Sequence, residues 1–470
     1  MIDMKLVTFR GGVHPPDGKH WAKEKPIQTV LPKGDLAFLL SQHIGAPAKA
    51  VVNVGDRVLK GQMIAEAGGF VSSPVFSSVS GTVKAFGQRY NAVGAKVQAI
   101  IVENDEQYDE VEYPPVKPLE EMSREEVIKV IADSGVVGMG GAGFPTHVKL
   151  SPKEPDKIEY IIANCAECEP YITADYRRML EMPEEIIAGL KVVLSLFDHA
   201  EGLLAVENNK PDCIKILQDL VKDEERIRVV PLKTKYPQGS ERQLIYATTG
   251  RMINSSMLPA DAGCIVDNVE TLIAINNAVN RGRPVTERLM TVTGRAIANP
   301  ANLIVPIGMN QTELIEFCGG FKETPEKIIS GGPMMGFALF TTDTPVTKTS
   351  SCLLCRIHDP IADMPASACI NCGRCVEACP SLLVPSKLAD YANQHRPRHF
   401  QEWNGLECVE CGCCSYVCPA KRHLKQSIAS YKKSVIAMNR AQAQKQAEEA
   451  KKLEESKKAA EAKKEGGDEK

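Results

Sequence analysis

Cysteine is the residue type with the clearest chemistry in this chain, because eight of its sixteen cysteines form two short runs. The runs share the spacing C-x2-C-x2-C-x3-C-P, and the second begins 39 residues after the first. Thiols repeated this closely indicate metal or cluster ligation. The first run contains Cys369, Cys372, Cys375 and Cys379, and the second contains Cys408, Cys411, Cys414 and Cys418.

This spacing is typical of modules that hold two [4Fe–4S] clusters. Three thiolates of one run bind three corners of a cubane, and the fourth cysteine ligates the other cluster. The alternative is a structural zinc ribbon, which usually needs paired C-x2-C knuckles instead. We therefore predict one cluster on Cys369, Cys372, Cys375 and Cys418, and a second on Cys408, Cys411, Cys414 and Cys379.

Three further cysteines lie in or near this part of the chain. Cys352 and Cys355 form a lone C-x2-C pair, for which we predict two buried thiols, with a redox or metal role as the alternative. Cys413 lies between two predicted ligands and is expected to be a spectator.

A glycine-rich loop at residues 138–143 is the second candidate for chemistry. It matches G-x-G-x-x-G, but a dinucleotide fingerprint should follow a strand and open a helix. Here the loop follows a predicted helix and continues directly into Phe144 and Pro145, so that context is missing. The loop still offers bare backbone to a flat or phosphorylated ligand, with the charge of Lys149 just beyond it.

The elements that must position these residues begin with a small β domain, predicted for residues 1–115. From about residue 30 to 105 the chain alternates apolar residues and is punctuated by glycine, which favours short antiparallel strands. The pattern resembles the barrel-sandwich fold of biotinyl and lipoyl domains. The turn at residues 67–70 has no lysine to modify, so we expect a structural or docking role.

An α/β domain is predicted for residues 116–289. Ser123 and Glu126 form a capping box before an apolar helical pattern. Strand-like runs at 160–163 and 202–206 alternate with helical segments at 183–195 and 212–222. Such alternation implies a mostly parallel sheet flanked by helices.

Three smaller regions follow. Residues 290–345 read as strand, helix and strand, which suits a β-grasp fold. Residues 358–432 hold the cysteine runs in an α+β, two-cluster ferredoxin-like domain. Residues 433–470 form a charged Ala/Lys/Glu tail, expected to be a solvated helix that frays into disorder. The predicted fold class is therefore multidomain α/β.

Composition limits the function classes. A length of 470 residues implies several domains. A net charge of -3 shows no basic excess for nucleic-acid binding. No segment approaches the roughly 18 apolar residues of a transmembrane helix, and the N-terminus does not read as a signal peptide. We expect a protein of the reducing cytoplasm with no transmembrane helix.

Residues 138–149 resemble the flavin loop of the NADH-binding 51 kDa subunit of respiratory complex I. Segments at 164–170, 239–245 and 268–271 resemble three further motifs of that family, in the same order. The order of domains is similar to that of the RnfC family, whose members belong to the Rnf ion-translocating electron transport complex. The segments at 11–16 and 169–175 are similar to the RnfC family specifically.

This resemblance implies non-covalent FMN and a set of contact residues. For FMN it implies Gly138, Gly140, Gly141, Ala142, Gly143, Lys149, Asn164, Glu167, Asn268 and Thr271. For NADH it implies Phe144, Glu169 and Glu241. The chain departs from the complex I pattern at Ala166, Cys168 and Ser240, where that family has an acidic residue, Ser and Glu.

The resemblance also implies an activity. The protein would be a peripheral component of a ferredoxin:NAD oxidoreductase that translocates Na+ or H+, at the cytoplasmic face of the bacterial cell membrane. It would exchange hydride with NAD(H) through FMN and relay single electrons through the clusters, and its partners would include a ferredoxin-type subunit. The alternatives are a soluble flavin and iron–sulfur cobalamin reductase and a non-catalytic ferredoxin-type electron wire.

Overall fold

The computed structural model describes residues 6–359 and 363–465. The chain divides into two compact units, Met1–Met364 and Pro365–Lys470. The first unit holds the β, α/β and β-grasp regions, and the second holds the cysteine runs.

The N-terminal region is a β sandwich, as its alternating pattern predicts. One sheet has the order β2-β8-β7-β4 and the other β3-β5-β6, and both are antiparallel. Leu36, Phe38, Ile100 and Val102 alternate into a fully buried core. The strands are β1 (Ile27–Thr29), β2 (Leu36–Leu39), β3 (Lys49–Ala50), β4 (Arg57–Val58), β5 (Met63–Glu66), β6 (Val75–Phe76), β7 (Gly81–Tyr90) and β8 (Lys96–Asn104).

The α/β region has a four-stranded parallel sheet, which confirms the predicted arrangement. The capping box is also present, since Ser123 Oγ accepts from the Glu126 N–H and the Glu126 carboxylate accepts from the Ser123 N–H. The strands are β9 (Tyr160–Cys165), β10 (Glu201–Glu207), β11 (Ile227–Leu232) and β12 (Cys264–Asn268). The helices are α1 (Arg124–Asp133), α2 (Thr146–Lys149), α3 (Ala174–Glu181), α4 (Pro183–Leu194), α5 (Pro211–Leu220), α6 (Glu241–Thr249) and α7 (Val269–Arg281).

Strand order places a natural binding site in this sheet. The order is β11-β10-β9-β12, so the chain leaves β9 towards one edge and returns with β12 on the other side of β9. In open α/β sheets, ligands bind beyond the carboxyl ends of the strands at such a switch point. The carboxyl ends of β9 and β12 are therefore the place where a site is expected.

The β-grasp region is built on a mixed sheet of order β1-β14-β13-β17-β15-β16. It extends beyond residues 290–345, because β1 from the N-terminal region and β17 both join it. Cys352 and Cys355 are buried, as predicted, and their positions in β17 place them in different core clusters. Its elements are β13 (Glu287–Thr293), β14 (Ala301–Pro306), α8 (Gln311–Phe317), β15 (Lys327–Ser330), β16 (Phe337–Leu339) and β17 (Cys352–Arg356).

The second unit repeats itself at the interval of the cysteine runs. Its helices are α9 (Arg374–Glu377), α10 (Pro385–Asn393), α11 (Pro397–Glu402), α12 (Cys413–Tyr416) and α13 (Leu424–Glu465). The starts of α9 and α12, and of α10 and α13, each differ by 39 residues. Left-handed φ values recur at the same interval, at Asn371 and Glu410, Gly373 and Gly412, and Leu382 and Lys421.

The helix α13 carries the charged tail. It is continuous to Glu465, and its side chains from 439 to 452 are exposed. The expected helix is thus present, while the last part of the tail, 466–470, lies outside the described residues. No helix within 6–359 and 363–465 combines the length and apolar character needed to cross a membrane.

Candidate functional site

The glycine loop presents bare backbone at the switch point. It connects α1 to α2 and is closed by a hydrogen bond from the Gly138 N–H to the Phe144 carbonyl, 2.8 Å. Residues 140–142 are exposed. A Cβ placed on Gly140 would lie 2.6 Å from the Cβ of Asn268, whereas one on Gly141 would meet nothing within 4 Å. The loop therefore leans on the end of β12 and leaves an open surface above Gly141.

Four segments that are distant in sequence converge there. Asn164 and Asn268 are register partners at the carboxyl ends of β9 and β12. The Asn164 amide donates to the Gly239 carbonyl, 2.8 Å. The site thus unites the glycine loop, both strand ends and the turn before α6, which are the segments that the sequence singled out.

Two of the predicted flavin contacts hold the loop in place. Asn268 caps α7, because its Oδ1 accepts from the Glu270 N–H, and its Nδ2 donates to Asp175 at 2.7 Å. Thr271 is fully buried, and its hydroxyl accepts from the Met139 N–H at 2.9 Å. Both residues thus have polar atoms engaged within the protein.

Lys149 lies next to the loop and is paired. Its Nζ donates to the Val266 carbonyl at 2.6 Å and to Asp267 Oδ1 at 3.2 Å. Burial acts to lower the pKa of Lys149, but the charges of Asp267 and Glu241 outweigh it, so this pKa is raised. The other oxygen of Asp267, Oδ2, is buried without a hydrogen-bond partner among the described residues, and so could accept from a ligand hydroxyl.

Glu167 faces inward. Its Oε1 accepts from the Asp175 N–H at 2.7 Å at the start of α3, and its Oε2 lies 3.4 Å from Lys19 Nζ. Its φ is 46°, a left-handed value that is costly for a residue with a Cβ. Glu167 therefore shapes the loop between β9 and α3.

The three residues predicted for NADH lie in or next to the segments of this site. Glu169 accepts from the N–H groups of Met334 and Met335, at 2.7 and 3.1 Å, so it anchors the turn between β15 and β16. Phe144 is partly buried at the end of the glycine loop. Glu241 is exposed in the first turn of α6.

Three residues at this site were missed in the sequence. Asp267 lies at the end of a buried strand, and an acidic residue in that position is a signal that could have found it. Asp175 lies within the segment 169–175, and its acidic character at the start of α3 is a similar signal. Lys19 comes from a separate segment of the chain and has no local signal of its role.

The cysteine runs enclose a small cavity in the second unit. Cys379 of the first run lines it together with three cysteines of the second run, Cys408, Cys411 and Cys414. These are the four thiols predicted for the second cluster, and four converging thiols suit an iron–sulfur cubane. Of the other set, Cys369 and Cys372 are exposed, Cys375 is partly buried and Cys418 is buried.

Comparison with protein families agrees with this organisation. Residues 7–107 match the RnfC barrel sandwich hybrid domain, and residues 131–277 match the Nuo51 FMN-binding domain. Residues 289–338 match the SLBB domain, and residues 368–421 match the 4Fe-4S dicluster domain. The multidomain fold and the FMN and [4Fe–4S] cofactors predicted from the sequence are confirmed at the level of these domains.

Two curated relatives are similar over nearly the whole chain. The RnfC component of the proton-translocating ferredoxin:NAD(+) oxidoreductase complex of Clostridium ljungdahlii is 44% identical, covering 94% of this chain and 96% of the relative. The corresponding component of the Na(+)-translocating ferredoxin:NAD(+) oxidoreductase complex of Acetobacterium woodii is 42% identical, covering 93% and 99%. A chain of the NAD+-reducing [NiFe]-hydrogenase in its H2-reduced state aligns with a TM-score of 0.46 and 17% identity, over 69% of this chain and 63% of that chain. From the two curated relatives, this chain belongs to the RnfC family of the Rnf ferredoxin:NAD(+) oxidoreductase complexes.

Proposed function

We propose that this chain is the NAD(H)-linked component of a membrane-bound ferredoxin:NAD oxidoreductase that translocates Na+ or H+. It would exchange hydride with NAD(H) through FMN and relay single electrons through two [4Fe–4S] clusters. A bound flavin supplies the conversion between two-electron and one-electron transfer, and the protein supplies position and electrostatics.

The observation that carries the proposal is the exposed glycine backbone at the switch point of the parallel sheet. A side chain on Gly140 would collide with Asn268, and the space above Gly141 is open. This surface is a cradle that a Cβ would fill, so it suits the close approach of a flat ring. The free oxygen of Asp267 suits a hydroxyl-bearing ligand.

We assign the flavin surface to the residues that the resemblance implied, with roles set by their contacts. The open surface for FMN consists of Gly138, Gly140, Gly141, Ala142 and Gly143. Lys149 keeps its positive charge through Asp267 and faces an anionic group less strongly than a free lysine would. Asn164, Glu167, Asn268 and Thr271 fix the walls, and Phe144, Glu169 and Glu241 border the side proposed for NADH.

We assign the cluster ligands as the spacing predicts. The cavity lined by Cys379 and the second run supports one ligand set. The 39-residue repeat of backbone conformation supports the equivalent set, Cys369, Cys372, Cys375 and Cys418. Backbone donors reach the sulfurs, with the Leu383 N–H 3.4 Å from Cys379 Sγ and the Glu410 N–H 3.4 Å from Cys408 Sγ.

We place the chain in a complex of several subunits, as the names of its relatives indicate. Its partners there would be membrane subunits and a ferredoxin-type subunit, and its position would be the cytoplasmic face of the membrane. The electron path would then run between NAD(H) on this chain and ferredoxin on the partner side.

An anaerobic titration of the reconstituted chain with NADH tests this function. We expect the flavin absorbance to bleach, followed by EPR signals of reduced cubane clusters. The C379S variant should lose the signal of one cluster while the flavin still bleaches. A chain that incorporates both clusters but binds no FMN would contradict the proposal and favour a non-catalytic electron wire.

A further inference from the structure

The loop between β9 and α3 directs its carbonyl groups at two buried ammonium groups. Lys210 Nζ donates to the Ala166 carbonyl at 2.6 Å. Lys19 Nζ donates to the carbonyls of Glu167 and Glu169, at 3.0 and 3.2 Å, and also contacts the Ile172 carbonyl. Lys19 and Lys210 are only 7% and 2% exposed. Four carbonyls of one short loop are thus bound by two cations.

The segment that carries Lys19 is fitted to this loop. The Tyr171 N–H donates to the Asp17 carbonyl at 2.6 Å. Gly18 has φ 58°, and a Cβ on it would lie 2.5 Å from the Tyr171 ring. Each ammonium also has a carboxylate nearby, since Lys19 lies 3.4 Å from Glu167 and Lys210 lies 3.7 Å from Glu207. The charges are therefore paired, as buried charges must be.

The loop needs such support, because two of its residues have unfavourable backbone angles. Glu167 and Tyr171 have φ values of 46° and 70°. Left-handed conformations of residues with a Cβ persist only where the surroundings determine them. In a trans peptide the N–H points opposite to the carbonyl, so the N–H groups of Glu167 and Cys168 point away from the two lysines. The loop can offer these donors to an electron-rich ligand.

We propose that Lys19 and Lys210 are positioning residues, which hold the loop at 166–172 in the conformation that binds the flavin. This inference rests on the proposed function. Neither lysine touches the ligand in this role. Each acts through the loop carbonyls, and loss of either ammonium frees the loop to relax away from its left-handed conformations.

The test uses the full chain with the variants Lys19→Met and Lys210→Met, and the exposed Lys49→Met as control. Hydrogen–deuterium exchange measures the loop in the protein without added FMN, and flavin fluorescence quenching measures FMN affinity. We expect exchange to accelerate at least tenfold within 166–173 and the FMN Kd to rise at least tenfold. The control should match the wild type in both measurements.

The two readouts separate the possible failures. Unchanged exchange in the loop together with unchanged FMN affinity would overturn the role of the lysines and leave the proposed function intact. A wild-type chain that binds no FMN would contradict the proposed function, while loop exchange would still decide the positioning role. If Lys19→Met accelerates exchange in the core strand β10 as well, Lys19→Gln, which keeps a donor, replaces it.

Discussion

Asp175 shows how a single side chain at the site is set by its surroundings. Burial, followed by the charges of Glu167 and Glu270, raises the pKa of Asp175 to about 7, while the Asn268 amide and Arg288 act in the opposite direction. The folded protein therefore binds a proton here that the unfolded chain has lost above about pH 4. Stability from this group is present at low pH and is lost as the pH rises through 7.

The variant Asp175→Asn should remove this pH dependence. We expect it to be more stable than the wild type at pH 8, by roughly 2 kcal/mol, with little difference at pH 4. Thermal unfolding of both proteins from pH 4 to 8 measures the effect. The exposed Asp219→Asn on α5 is the control and should follow the wild type. A constant difference between Asp175→Asn and wild type across this range would contradict the assignment.

At the scale of elements, the glycine loop gives a matched pair of substitutions. Gly140→Ala should destabilise the protein by about 1–3 kcal/mol, because its Cβ would overlap Asn268, whose own Cβ cannot move freely. Gly141→Ala meets no neighbour and should leave the thermal midpoint unchanged. Both should weaken FMN binding about tenfold, since the space above Gly141 is the proposed position of the flavin. Wild-type FMN affinity in Gly141→Ala would show that the flavin lies elsewhere.

Local pattern was enough to predict some elements and not others. The parallel sheet and the capping box of α1 follow from alternating apolar runs and from a four-residue motif. The strand β1 was not predicted, because it is only three residues long and pairs with Asn302, Leu303 and Ile304 far along the chain. The contacts of Lys19 escaped for the same reason, since they join segments about 150 residues apart.

At the scale of the whole first unit, Lys348 connects three regions. It lies between β16 and β17 and is fully buried. Its Nζ donates to Ser73 Oγ at 3.0 Å and to the Pro74 carbonyl at 2.6 Å, both in the N-terminal β region. It also donates to the Gly135 carbonyl at 2.7 Å, just after α1. Replacement by Met leaves these three acceptors without this donor, so we expect Lys348→Met to lower the thermal midpoint.

The size of that loss should depend on pH. Burial lowers the pKa of Lys348 to about 7, well below that of the unfolded chain, so between these values the folded protein binds fewer protons. Stability from this group therefore increases as the pH rises above 7, by at most about 1.4 kcal/mol per pH unit. Thermal unfolding at pH 6, 7.5 and 9 should show the deficit of Lys348→Met growing with pH, while Lys49→Met stays level with the wild type. A deficit that shrinks with rising pH would mean that Lys348 is held as a stabilised cation.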